Sequence, residues 1–182
     1  DECFVPLTVG GGIKSLDDIG NLLKVGADKI CINSSAMNDI NFLKKAVDKY
    51  GSQCIVLSID YKINKKEQKE IFINSGNKPT GILLENFIEK VSKVEPGEIL
   101  LTSIDHDGIM KGYDIETIKK ISKISDVPII ASGGAGSLNN FYEIIQKTNI
   151  KALSAASIFH FTEITPLDVK LYLDSKGVKV RI

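Results

Sequence analysis

The chain has 182 residues, with 23 Lys and Arg set against 23 Asp and Glu. That length suits one domain with a sizeable core, and the balanced charge supplies no basic field for nucleic acid or an anionic membrane. The longest apolar runs, such as Cys54–Ile59 and Ile99–Leu101, are far too short to span a bilayer.

Residues 1–5 read as a helix tail entering a strand, Pro6–Val9, which Gly10, Gly11 and Gly12 close. Ser15 then caps a helix with Leu16, Ile19, Leu22 and Leu23 on one face. Asp17 and Asp18 lie in its first turn, where negative charge meets the positive end of the helix dipole. Gly26 ends it. A strand over Lys29–Asn33 follows, and then a helix from Asp39 to Tyr50 that stops at Gly51. The next strand, Cys54–Asp60, is apolar almost throughout, as in a parallel sheet covered on both faces, and it ends in a carboxylate.

Tyr61–Gly81 breaks this rhythm with a lysine-rich turn, a short strand over Glu70–Asn74, and SGNKPTG. The pattern predicts a hairpin excursion, with Lys62–Lys69 solvated and SGNKPTG a mobile loop. A helix from Leu84 to Val94 leads through Pro96 and Gly97 to a strand over Glu98–Ile104. After the loop DHDGIMKGYD come a helix near Ile115–Ile124 and a strand, Pro128–Ser132. An amphipathic helix, a strand over Ala152–Ala156 and a final helix, Pro166–Ser175, complete the order. Cys3, Cys31 and Cys54 are odd in number, and two fall in the apolar runs. This points to reduced thiols in a cytoplasm, not to a disulfide framework. No signal peptide is visible. The first residue is Asp, not Met, so sequence upstream of residue 1 is expected.

Six strand–helix alternations imply an α/β fold with a parallel sheet. A loose repeat selects among such folds. PLTVGGGIKSLDDIGNLLKVGADKICINSS, Pro6–Ser35, recurs as PIIASGGAGSLNNFYEIIQKTNIKALSAAS, Pro128–Ser157. The two copies stand four strand–helix units apart, the period of two fused half-barrels. The expectation is a single domain over residues 1–182 forming a (β/α)8 TIM barrel, of which this chain carries about six units. The first two units, roughly 70 residues, would precede residue 1. Each copy carries a glycine cluster between a strand and a helix start, where backbone approaches a ligand closely and N–H groups favour an anion. Two copies suggest a ligand with a phosphate at each end.

In such barrels the site lies at the C-terminal ends of the strands. Those ends hold Gly10–Gly12, Asn33, Ser34, Asp60, Thr102–Asp107, Ser132–Gly136 and Ser157. They predict a polar ring with two carboxylates on opposite sides of the glycine sites. Asp60 ends an apolar strand, where desolvation could tune it for general acid–base work; a helix N-cap or a loop salt bridge is the plainer alternative. Asp107, followed by Gly108, fits a turn as well as a ligand contact. Lys29 and Glu98, at the opposite strand ends, read as an ion pair. His106 and His160 have no metal-ligand spacing to each other or to a cysteine, so neither metal nor cofactor is expected.

An ordered set of motifs resembles the cyclase subunit family of imidazole glycerol phosphate synthase over essentially the whole chain. PLTVGGGI, GADKICINSSA, GSQCIV, IDYK, KPTG, GEILLTSIDHDG, GYD, PIIASGGAG and ASIFHF occur in that order. The resemblance implies an ammonia-dependent lyase–cyclase of histidine biosynthesis. Ammonia from a glutaminase partner would pass along the barrel axis. It would meet a bisphosphorylated ribulosyl-formimino carboxamide ribonucleotide, giving imidazole glycerol phosphate and aminoimidazole carboxamide ribotide. The resemblance makes Asp60 one of two catalytic aspartates, at the end of the fifth strand of a family barrel. The other belongs to a first strand absent here, so this chain alone is expected to be inactive.

By the same resemblance, Gly12, Asn33 and Ser34 form one phosphate site and Gly134, Ala156 and Ser157 the other. Thr102, Asp107, Gly108 and Ser132 line the substrate between them. Lys29 and Glu98 become part of a charged ammonia entrance, and Asp28 and Gln53 face the glutaminase. Tyr61, Ile109 and Ser154 depart from the family's usual small residue, Thr and Ala. A paralogue that supplies ammonia for sugar amidation in surface-polysaccharide synthesis, or a glutaminase-docking scaffold without catalysis, would carry much the same pattern.

Overall fold

Ser15 opens the first helix as its sequence dictates: its hydroxyl accepts the Asp18 N–H while the Asp18 carboxylate accepts the Ser15 N–H, a reciprocal capping box. The same device recurs at Thr165 and Asp168. In the computed structural model, which describes residues 4–181, helices set in this way alternate with parallel strands. The order is β1 (Thr8–Gly10), α1 (Leu16–Lys24), β2 (Lys29–Ile32), α2 (Ser34–Asn38), α3 (Ile40–Tyr50) and β3 (Ile55–Ile63). There follow β4 (Lys69–Ile73), β5 (Lys78–Leu83), α4 (Leu84–Ser92), β6 (Glu98–Ser103) and α5 (Ile115–Ile124). The chain continues through β7 (Ile129–Ser132), α6 (Leu138–Lys147), β8 (Ala152–Ser154), α7 (Ser157–Phe161) and α8 (Pro166–Ser175).

Six strands run parallel in the order β1-β2-β3-β6-β7-β8, the curled sheet of a partial (β/α)8 barrel. Residues of β2, β6 and β7 alternate in burial with period two, while β3 is buried on both faces up to Asp60. Ile30 and Ile32, Ile99 and Leu101, and Ala131 are buried in one core with Ile19, Leu43, Ile88, Ile118, Ile121 and Ile144 of the helices. Each of the Ile and Leu side chains contributes about 1.5–3 kcal/mol on burial. The alternate residues, Lys29 and Cys31, Leu100 and Thr102, Ile130 and Ser132, are only half-buried and line the concave face.

Several local expectations change. The strand containing Asp60 does not end there: β3 runs on to Ile63, leaves the parallel sheet and pairs antiparallel with β4. KPTG is not a mobile loop but the start of β5, paired to β4 at Phe72↔Pro79 and Ile73↔Lys78. Its polar composition hides an edge strand, where Pro is tolerated because its missing N–H faces outward. Cys54 belongs to a single 3-10 turn, Ser52–Cys54, before β3, and α2 was too short to register as a helical pattern. Of the helix tail expected over residues 1–5, Phe4 and Val5 are not helical, while residues 1–3, with Cys3, lie outside the described residues. Among the described residues, no helix is long and apolar enough to cross a membrane.

Among the described residues β1 and β8 each pair with only one neighbour. Apolar side chains surface near both: Phe4 is 88% exposed and Phe161 77%.

Candidate active site

Register, not proximity in sequence, assembles the site. Pairing of Asp60 with Thr102, Thr102 with Ser132, and Ser132 with Ser154 draws one polar row across β3, β6, β7 and β8. These residues share the concave face by the period of two. To one side, β1 and β2 end in Gly10–Gly12 and Asn33–Ser34; to the other, β8 leads to Ala156 and Ser157 at the start of α7. Asp60 and Asp107 therefore do not face each other across the glycine sites. They stand side by side between them, on β3 and on the loop after the adjacent β6.

Asn33 donates its Nδ2 hydrogen to Asp60 Oδ2 at 2.8 Å, and its Oδ1 is buried without a hydrogen bond. The residue expected at a phosphate thus holds the central carboxylate. Burial holds the Asp60 carboxyl above the usual carboxylate range; the Asn33 bond opposes this, the negative charge of Asp107 reinforces it, and a Ser58 hydroxyl opposes it weakly. Cys31 faces the same space. Burial first, then the Asp60 charge, push its thiol up to about 11, so it stays protonated and is no nucleophile at neutral pH.

A cavity of about 460 Å³ joins Gly11, Gly12, Lys14, Ser34, Asp60, Asn74 and Ser75. Lys14, Asn74 and Ser75 escaped the sequence reading. The last two arrive on the β4–β5 turn, whose Asn74 N–H donates to Ser34 Oγ at 3.3 Å. Asn74 and Ser75 have φ of 55° and 56°, so NSG is a tight left-handed turn, and that motif was the available signal. A larger cavity, about 890 Å³, lies between β8, α6 and α8. Its walls are chiefly apolar, with Lys151, Lys170, Lys179 and Arg181 among them, and of the polar row it includes Ser154 but not Asp60, Thr102 or Ser132.

The two glycine clusters do different work. Gly11 and Gly12 adopt φ of 105° and 68°, are exposed, and have nothing within 4 Å of where a Cβ would stand. That space is open to a ligand. Gly134 and Gly136 are instead overlaid by the 104–114 loop: a methyl group there would drive into the carbonyls of Gly112 and Met110. Gly112 N–H donates to Gly134 O at 2.7 Å. The second cluster holds a loop in place.

At the other end of the sheet, Lys29 Nζ and Glu98 Oε1 pair at 2.7 Å across β3. Glu98 is level with Val56, four residues below Asp60 on the same strand, which is about 13 Å at strand rise. Asp28 Oδ2 accepts the Leu7 N–H at 2.7 Å, so it also pins the entry to β1, whereas Gln53 is exposed.

Asp114, the N-cap of α5, accepts from Lys69 at 2.7 Å and from the Thr117 hydroxyl at 2.8 Å. Burial alone would raise its carboxyl, but these bonds outweigh it and leave it below the ordinary value of 3.8. A depressed folded value stabilises the protein above the unfolded value, and that stability disappears as pH falls through the folded one. Asp114→Asn is therefore expected to destabilise at neutral pH. Its deficit in urea denaturation should shrink as pH drops below about 3.8; a deficit constant from pH 7 to the acid limit would contradict the assignment.

A family model described as "Histidine biosynthesis protein" matches residues 1–165. The protein named imidazole glycerol phosphate synthase subunit HisF of Natranaerobius thermophilus is 48% identical over 98% of this chain and 71% of its own length. The protein of that name from Clostridium botulinum strain Kyoto is 48% identical over 100% of this chain and 72% of its own. That of Dictyoglomus thermophilum is 48% identical over 100% and 71%.

Proposed function

Because the chain belongs to the histidine-biosynthesis family as a cyclase subunit of imidazole glycerol phosphate synthase, we propose that its concave face carries out the ammonia-dependent cyclase–lyase step. The substrate is a bisphosphorylated ribulosyl-formimino carboxamide ribonucleotide, and the products are imidazole glycerol phosphate and aminoimidazole carboxamide ribotide. The observation that carries this reading is the row Asp60, Thr102, Ser132, Ser154, with the open Gly11–Gly12 turn on one side and the start of α7 on the other.

One phosphate rests at Gly12 and Ser34, with Lys14 supplying a cation. The other rests by the backbone of Ala156 and Ser157 at the start of α7; Gly134, which the sequence pairs with them, lies under the 104–114 loop and serves to seat that loop. Thr102, Asp107, Gly108 and Ser132 bind the body of the substrate, placing its reacting carbons over Asp60. Asp60 exchanges the proton, oriented by Asn33. A carboxyl that keeps its proton above the ordinary range can donate it where a surface aspartate could not. Ammonia, made by a glutaminase docked beside Asp28 and Gln53, enters past Lys29 and Glu98 and travels along the axis. The name "subunit" borne by the relatives supports such an assembly.

Gly12→Glu tests the phosphate assignment. The position has room for a side chain but not for a second negative charge. Two like charges at about 4 Å repel by about 4 kcal/mol near a protein surface, so calorimetry should show bisphosphate affinity reduced by at least about a hundredfold. Unchanged affinity would move the phosphate elsewhere.

A further inference from the structure

Beside the site lies a buried polar knot that the proposed chemistry does not use. Asp114 needs one bond to cap α5, and it has that bond in the Thr117 N–H. Its Oδ2 nevertheless also accepts from the Tyr61 hydroxyl at 3.2 Å and the Lys69 ammonium at 2.7 Å. Lys69 stands 5.6 Å from the centre of the Tyr61 ring. Tyr61 is 1% exposed and directly follows Asp60 in β3. Lys69 comes from β4, and Asp114 ends the loop that carries Asp107. Backbone bonds stitch the same pieces: Ile104 N–H to Tyr61 O at 2.9 Å and Ile63 N–H to Asp105 Oδ2 at 2.8 Å.

A largely buried ion pair, here with Lys69 half-buried and Asp114 buried, adds little net stability over apolar side chains of the same volume, so its use lies in the geometry it holds. What this one fixes is the 104–114 loop against the strand bearing Asp60. We propose that the Tyr61–Asp114–Lys69 knot is a positioning device that holds Asp107 beside Asp60. The proposal rests on Asp60 as the central carboxylate of the site, but its test needs no turnover.

The groups around Asp60 are Cys31 from β2, Asn33 just after it, Ser58 from β3 and Asp107 from the loop, with Lys14 lining the same cavity. His106, next to Asp107, is held by Ser103 Oγ at 2.8 Å. Asp107 is the carboxylate among these that travels with the loop. Releasing the loop withdraws its negative charge, so Asp60 should lose its proton at lower pH.

The experiment is a carboxyl-carbon NMR titration of Asp60 in residues 1–182 and in the variants Lys69→Met, Lys69→Arg, Tyr61→Phe, Asp107→Asn and Lys69→Met/Asp107→Asn. Lys69→Met and Tyr61→Phe should each move the Asp60 midpoint downward, in the direction of Asp107→Asn. Lys69→Arg should keep the wild-type midpoint. Asp107→Asn should add less in the Lys69→Met background than alone, because sites acting through one element are not additive. Amide exchange over residues 105–112 should quicken about tenfold in Lys69→Met. An unmoved midpoint in Lys69→Met, or a fully additive double variant, overturns the proposal. If Tyr61→Phe does not fold, Lys69→Met, which keeps the buried ring, decides alone. Loss of the fold in Lys69→Met by circular dichroism would make the knot a stability element and equally overturn it. Absence of cyclase turnover would leave all these titrations readable, so failure of the two readings can be told apart.

Discussion

Asp60→Asn is expected to lower cyclase turnover by about 100- to 10,000-fold, the range lost with a positioned proton-transfer group. The substitution keeps shape and can keep a bond to Asn33, so KM for the bisphosphate should change little while kcat collapses. The pH profile gives a second reading. Burial, with Asp107 nearby, keeps the Asp60 proton bound to higher pH than in an ordinary carboxyl. The limb of kcat that tracks Asp60 should lie above the ordinary carboxylate range and move down in Asp107→Asn. Steady-state kinetics in the assembled synthase measures both. Retention of more than about a tenth of the activity would assign proton transfer to another group.

The glycines supply the second large effect. Gly134→Ala must find room against the Gly112 carbonyl at φ of 111°, whereas Gly11→Ala meets nothing at φ of 105°. Backbone strain is common to both, about 1–3 kcal/mol. Overpacking, about another 1–3 kcal/mol, falls on Gly134 alone. Urea denaturation should therefore rank Gly134→Ala as the more damaging by about 1–3 kcal/mol, and the loop carrying Asp107 should loosen with it. Equal losses would mean that the second cluster is as open as the first.

How far the sequence was legible follows from what kind of signal each feature leaves. Ser15, Thr165 and the 3.6-residue stripes of α1, α3 and α5 are local, and the helices began where those residues required. The apolar run before Asp60 marked a strand covered on both sides, but nothing local said that the strand would continue as a hairpin arm. That depends on β4 lying alongside. KPTG failed for the same reason: an edge strand is held by its backbone pairs, so its side chains need no alternation. At the site, Asp60, Thr102 and Ser132 were readable because strand ends in a parallel barrel meet at one face. Asn33 turning to Asp60, Asn74 and Ser75 over Ser34, and the loop resting on Gly134 are tertiary contacts between segments far apart in the chain. They leave only a residue type behind. A glycine written twice in similar motifs looked like one function twice, and the space around it separated the two.

The six parallel strands form an open sheet, with one unpaired edge at β1 and one at β8 among the described residues. Each edge offers unpaired backbone groups and adjoining apolar surface, which favours pairing with further strands. A barrel of this class closes with eight. The cyclase reading, with Asp60 as one of an opposed pair of carboxylates, is tested most directly by following the bisphosphate substrate's absorbance with ammonium present. Residues 1–182 are assayed alone and co-expressed with a fragment of the Natranaerobius thermophilus relative, the part that this chain does not match. Ammonium-dependent loss of absorbance is expected with the fragment, none without it, and none when the fragment is paired with Asp60→Asn. Turnover by residues 1–182 alone, or by the Asp60→Asn pair at the rate of its parent, would contradict it.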